Sequence, residues 1–143
     1  MSHGLLLVQP MRYELTQVGF SELLTIADVD EFMREKTGTA MLVINSVCGC
    51  AAGRARPAVR LALQQAQRPE RLATVFAGQD LEATARARAY FPEIPPSSPS
   101  IALFKDGKLV YFMPRQSIEG RDAEAVAHAL QEVFNEYCAV SNV

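Results

Sequence analysis

The chain has 143 residues, 49% of them hydrophobic and 21% charged, with a net charge of −2. That length supports a single compact domain, 1–143, with its own core and no need of disulfide staples. The charge balance gives no general attraction to nucleic acid or to an anionic membrane, and no run reaches the ~20 apolar residues of a bilayer span.

In chain order, residues 1–8 read as a flexible or loosely packed N-terminal segment, and Met1-Ser2-His3-Gly4 is not expected to contribute to the fold. No basic stretch leads into an apolar core and a cleavage site, so export is not expected. Thr25 and Asp28 mark a helix start and Gly38 its stop, with Val29, Phe32 and Met33 as the apolar face. Ala40-Met41-Leu42-Val43-Ile44 is short, continuous and partly β-branched, which predicts a buried strand. A helix is expected from Ala51 to Gln67, kinked at Pro57 because proline removes a backbone donor. Leu72 to Ala77 predicts a second strand ended by Gly78, and Asp80 a cap for a helix running to about Tyr90.

The prolines and serines between Phe91 and Pro99 predict a rigid loop. Ser100 to Phe104 and Leu109 to Phe112 then form a hairpin around Asp106-Gly107. Val126, Leu130, Val133, Phe134 and Tyr137 recur at helical spacing, giving a final amphipathic helix that Asp122 can cap. Strands joined through helices favour parallel pairing, and the hairpin adds an antiparallel edge. The expected class is α/β: a central mixed sheet with helices on both faces, in the order of a thioredoxin-like domain.

Cys48-Gly49-Cys50 stands between the first predicted strand and the long helix. Helix N-terminal amides favour negative charge there, and the thiolate is the reactive form of cysteine. The motif therefore points to thiol–disulfide exchange. One intervening residue makes the ring between the sulfurs tight, so the pair is expected to be a weaker reductant than a Cys-x-x-Cys pair. Gly49 is expected to matter through its backbone freedom. Three cysteines are too few for a secreted framework, and a reduced, cytoplasmic setting fits them better.

Two regions are similar to thioredoxins: the cysteine pair with Pro57 beyond it, and Ser98-Pro99-Ser100-Ile101-Ala102-Leu103-Phe104-Lys105-Asp106-Gly107. The second implies a cis bond before Pro99, against an ordinary trans loop proline, with Ser98 and Pro99 facing the substrate. More narrowly, the chain resembles the bacilliredoxin family. The resemblance rests on Val8-Gln9-Pro10-Met11-Arg12, Asn45-Ser46-Val47-Cys48-Gly49-Cys50-Ala51-Ala52-Gly53 and Ala55-Arg56-Pro57. It continues through Val75-Phe76-Ala77-Gly78-Gln79-Asp80, Pro95-Pro96-Ser97-Ser98-Pro99-Ser100, Ile118-Glu119-Gly120-Arg121 and Glu136-Tyr137-Cys138. Arg54 stands where that family commonly has Asn, and Gln116 where a His is frequent after Arg115.

The resemblance implies that Cys48 is the nucleophile and Cys50 the resolving thiol. The order of the turn points the same way, with Cys48 nearer the loop surface and Cys50 one step into the helix. The implied partners are S-thiolated client proteins, with bacillithiol as co-substrate, no bound cofactor, no nucleic acid and no membrane. A general protein disulfide isomerase or reductase would use the same residues. Without a histidine at 116, activation is expected from helix amides and nearby arginines, with Arg54 and Arg56 as candidates. Arg56 equally fits a solvated helix face or a site for a carboxylate-bearing thiol. A Cys-x-Cys soft-metal module is the different-class alternative, but no second cysteine pair completes a tetrahedral set, and His128 reads as solvated. Cys138 reads either as a half-buried helix residue or as a second exchange partner.

Overall fold

The computed structural model describes residues 5–138. A five-stranded sheet forms its centre: β1 (Ser21–Glu22), β2 (Thr39–Asn45), β3 (Arg71–Phe76), β4 (Ser100–Lys105) and β5 (Lys108–Met113), in spatial order β1-β3-β2-β4-β5. β1 and β2 run parallel to β3, whereas β4 runs antiparallel to β2 and to β5. β2 lies in the middle and all of its residues are buried, which is why it reads as an unbroken apolar run.

The side chains of β2 alternate between two cores. Met41 and Val43 join Ala58, Val59 and Ala62 of α3 (Arg56–Ala62), and Val126, Leu130 and Phe134 of α6 (Ala123–Tyr137). Ala40, Leu42 and Ile44 join Val29 and Met33 of α2 (Ile26–Arg34), and Ala83 and Ala87 of α4 (Leu81–Arg88). Helices thus cover both faces of a mixed sheet, the thioredoxin-like arrangement expected from the order of elements. Among the described residues no helix is long and apolar enough to cross a membrane.

Local signals account for most boundaries. Thr25 accepts from the Asp28 N–H while Asp28 caps back onto the Thr25 N–H, a full capping box. Asp122 accepts from the Ala125 N–H at the start of α6. Asp106 and Gly107 have φ of 51° and 83°, and Lys105 pairs with Lys108, as a two-residue hairpin with left-handed central residues requires.

Several expectations are corrected. The segment read as loose over 1–8 includes the start of α1 (Leu5–Thr16), and Val8 is fully buried within it; residues 1–4, His3 among them, lie outside the described residues. Val8 and Leu15 of α1 are buried, while Leu6 and Leu7 are exposed and Pro10 interrupts the run, so no helical stripe is visible in the sequence. Asp80 makes no capping bond; its two oxygens instead accept from Arg12 Nη1 and Nη2, each at 2.9 Å. The helix expected over 51–67 is shorter and in two parts. A π-helical turn at Ala51–Ala55 precedes α3, which ends at Ala62. Helical backbone is continuous from Gly49 through Ala62, and Pro57 stands inside it where the π-helical turn gives way to α3, the irregularity expected of a proline within a helix. β1 and α5 (Arg115–Glu119) were not anticipated, because two and five residues are too few to show a period.

Candidate active site

β2 ends at Asn45, a bend covers Val47 and Cys48, and helical backbone starts at Gly49. Cys48 thus lies just before the helix and Cys50 within its first turn. The Ala51 and Ala52 N–H groups donate to the Cys48 carbonyl at 3.0 and 3.2 Å, closing that turn. Both cysteines are free thiols and partly exposed.

The turn is held from beneath by a buried arginine. Arg56 is 1% exposed. Its Nη1 donates to Asn45 Oδ1 at 3.0 Å and to the Ser46 carbonyl at 2.9 Å, and its Nε to Glu14 Oε2 of α1 at 3.1 Å. Asn45 Oδ1 also accepts from the Ser46 N–H at 2.9 Å, and Ser46 Oγ accepts from the Cys48 N–H at 3.2 Å. A guanidinium carries enough fixed donors to satisfy this set in one plane, as a lysine does not.

The two thiols are driven in opposite directions. Burial pushes the Cys48 thiol up, but the Ser46 hydroxyl, the Ala51 and Cys50 N–H groups and the Arg115 charge favour its thiolate, and the net direction is down. Cys50 is pushed up, first by burial and then by its neighbour Cys48, with Glu119 adding to the rise and Arg115 opposing it.

The electrostatic role expected of Arg54 and Arg56 thus falls to Arg115 of α5. Arg54 Nε donates to the Arg121 carbonyl at 2.7 Å, and Arg56 is enclosed by Asn45, Ser46 and Glu14 beneath the turn. Arg115 was visible in the sequence only as the neighbour of position 116. The signal for it was the Arg115/Glu119 pair at i,i+4, joined at 3.1 Å from Nε to Oε2.

The bond between Ser98 and Pro99 is cis, as the Ser98-Pro99-Ser100 segment implied. Ile44 pairs with Ser100 across the antiparallel ladder, so Pro99 follows beside Asn45, next to the cysteine turn. Arg115 ties this loop to the thiols: its N–H donates to Ser97 Oγ at 3.3 Å and its Nη1 reaches the Ser98 carbonyl at 3.5 Å. Gln116 lines a neighbouring hollow with Ile94, Pro95, Pro96, Phe112 and Pro114.

Gly49 is not in the left-handed region, and a Cβ built there meets nothing within 4 Å. The expectation that its backbone freedom shapes this turn therefore does not hold for the dithiol form. Cys138 is 8% exposed at the end of α6, packed in the core, and burial pushes its thiol up. His128 is exposed and faces Glu132 at 3.3 Å. Among the described residues no grouping of three or more His, Cys, Asp or Glu side chains is placed to hold a metal ion.

Residues 5–138 match the family described as "Disulphide isomerase". The chain is 54% identical over 131 residues to a bacilliredoxin of Halalkalibacterium halodurans, covering 92% of this chain and 91% of that protein. It is 55% identical over 130 residues to a bacilliredoxin of Cytophaga hutchinsonii, covering 91% and 96%. Among solved structures it is similar to a Fasciola hepatica thioredoxin, at 19% identity and a TM-score of 0.54, covering 82% of this chain and 99% of that one. A mutant thioredoxin from Halobacterium salinarum aligns at 17% identity and a TM-score of 0.57, covering 84% and 91%.

Proposed function

We propose, for a chain that belongs to the disulphide isomerase family and is a thiol–disulfide oxidoreductase, that the Cys48–Cys50 pair removes bacillithiol from S-thiolated client proteins. The observation that carries the order of events is the placement of the two thiols. Cys48 stands just before the helix with its N–H on Ser46 Oγ at 3.2 Å, whereas Cys50 Sγ faces Glu119 Oε2 at 3.7 Å, which favours Cys48 as thiolate and Cys50 as thiol.

In the first step the Cys48 thiolate attacks the small-thiol sulfur of the client's mixed disulfide. A bond from Cys48 to the small thiol forms, the bond to the client breaks, and the client leaves as a thiolate that takes a proton from water. In the second, Cys50 loses its proton and attacks Cys48 Sγ, closing the Cys48–Cys50 disulfide and expelling the small thiol. The client disulfide is reduced by two electrons and the protein dithiol oxidised by two; two equivalents of an external thiol return the pair to its starting state and leave as their own disulfide.

Arg115 steadies the attacking thiolate, the Ser46 hydroxyl orients it, and the Ser98-Pro99 loop flanks the incoming disulfide. The bacilliredoxin name of the similar proteins supports bacillithiol as the small thiol. Such chemistry belongs in a reducing compartment, and the cytoplasm is the proposed location. It calls for no bound cofactor, nucleic acid or membrane.

The test presents the reduced protein with one client carrying bacillithiol, glutathione or cysteine as its cap. Release is expected to be fastest from the bacillithiol-capped client. Equal rates on all three would replace this reading with a general disulfide reductase or isomerase, which the family's description favours.

A further inference from the structure

Cys50 Sγ lies 3.7 Å from Glu119 Oε2, and the same oxygen accepts from Arg115 Nε at 3.1 Å. A carboxylate facing a thiol at this distance accepts its S–H and disfavours its thiolate. The charged or titratable groups that face Cys50 are Cys48 on its own turn and Arg115 and Glu119 from α5. Arg115 faces both sulfurs, so one guanidinium serves two thiols while one carboxylate touches the second.

We propose that the Arg115–Glu119 pair sets the order of exchange: Glu119 keeps Cys50 protonated while Cys48 attacks, and Arg115 turns to Cys50 once Cys48 is capped. The inference rests on the exchange reading above, with Cys48 first and Cys50 second. Before attack, Cys48 carries negative charge, and a second anion on the same turn is opposed by Cys48 and by Glu119 together. In the mixed disulfide Cys48 Sγ is neutral. The like charge is gone, and Arg115 has only Cys50 left to face among the sulfurs. The Cys50 proton then passes to water. The new thiolate attacks Cys48 Sγ, the Cys48–Cys50 bond forms, and the small thiol departs as a thiolate that water protonates.

Glu119 acts on a reacting atom, so Glu119→Gln removes the charge while keeping the side chain's size. With limiting iodoacetamide at neutral pH, the ratio of Cys48 to Cys50 alkylation, read by peptide mass spectrometry, is expected to fall roughly three- to tenfold in this variant. In a Cys48→Ala background the Cys50 thiolate absorbance should move to lower pH with Glu119→Gln and to higher pH with Arg115→Gln. Glu119→Asp, which retains the charge, should restore most of the ratio. Opposite movements from two variants of one helix are not produced by a general loosening of the fold. An unchanged ratio with an unchanged Cys50 titration would overturn the inference, as would both variants moving the titration the same way. Iodoacetamide is neither a disulfide nor a small thiol, so this result stands apart from the capped-client comparison, which tests bacillithiol alone.

Discussion

Arg56 Nη1 donates to the carbonyl oxygen of Ser46 at 2.9 Å, so a side chain from α3 fixes the backbone just ahead of the first cysteine. The same nitrogen holds Asn45 Oδ1, and Nε reaches back to Glu14 on α1. A strand end, a helix and the cysteine turn are joined by one buried cation.

Replacing it should therefore cost stability and reactivity together. Arg56→Met is expected to lower the unfolding free energy by about 2–4 kcal/mol, because it leaves a buried carbonyl without a donor and Glu14 without its partner. Arg56→Lys should recover less than half of that loss, since one ammonium cannot span the three acceptors. In both variants the Cys48 titration should drift up toward the ordinary thiol value as the Ser46 hydroxyl loses its aim. Urea unfolding and thiolate absorbance measure the two effects, and full stability in Arg56→Lys would contradict the account.

The lowered Cys48 value sets a pH dependence with a definite sign. Its alkylation rate should persist below the ordinary thiol range and fall only through the folded value. A depressed value also means that ionised Cys48 stabilises the reduced fold fully above the unfolded thiol value, and that this contribution is lost as pH falls through the folded one. The stability gap between the native chain and Cys48→Ser should thus widen with rising pH across that window. Added salt should weaken the effect, because the Arg115 side chain is 43% exposed and open to screening. A rate that simply tracks an ordinary thiol would refute the activation.

Asp80 offers a test of an ion pair against a helix cap. Both its side chain and that of Arg12 are 12% exposed, and the pairing is bidentate. A double-mutant cycle of Arg12→Ala and Asp80→Ala should give a coupling of about 1–2 kcal/mol. A capping role would instead give a loss of about 1 kcal/mol from Asp80→Ala that adds to that of Arg12→Ala without coupling.

Gly49→Ala should stabilise the reduced protein by about 0.5–1 kcal/mol, since the position has helical backbone and open space for a methyl group. Denaturation in excess reductant checks this. A less stable reduced variant would mean that the turn depends on glycine before the disulfide forms.

What the sequence revealed and what it hid follow one physical division. The strands 40–44 and 100–104, the Asp106-Gly107 turn and the caps at Thr25 and Asp122 were legible because burial period, turn residues and caps are local signals. The cysteine turn was legible for the same reason. Arg115 and Glu119 reach the thiols only because the hairpin carries α5 back across the sheet end, and that placement is tertiary. Arg56 and Asp80 were misread alike: each has a near-neighbour role on paper, yet its partners lie elsewhere in the chain, on α1 and the end of β2. α1 escaped notice because Val8 and Leu15 reach the core while Leu6 and Leu7 are exposed.

Cys138 sits beside Thr39, where β2 begins, whereas the Cys48-Gly49-Cys50 turn follows the other end of that strand. The length of β2 alone keeps them about 20 Å apart, far beyond the reach of a disulfide. Of the pairings its cysteines permit on paper, the folded chain can form only Cys48 with Cys50. Oxidation thus has a single intramolecular product, and a scrambled isomer would report unfolding rather than catalysis.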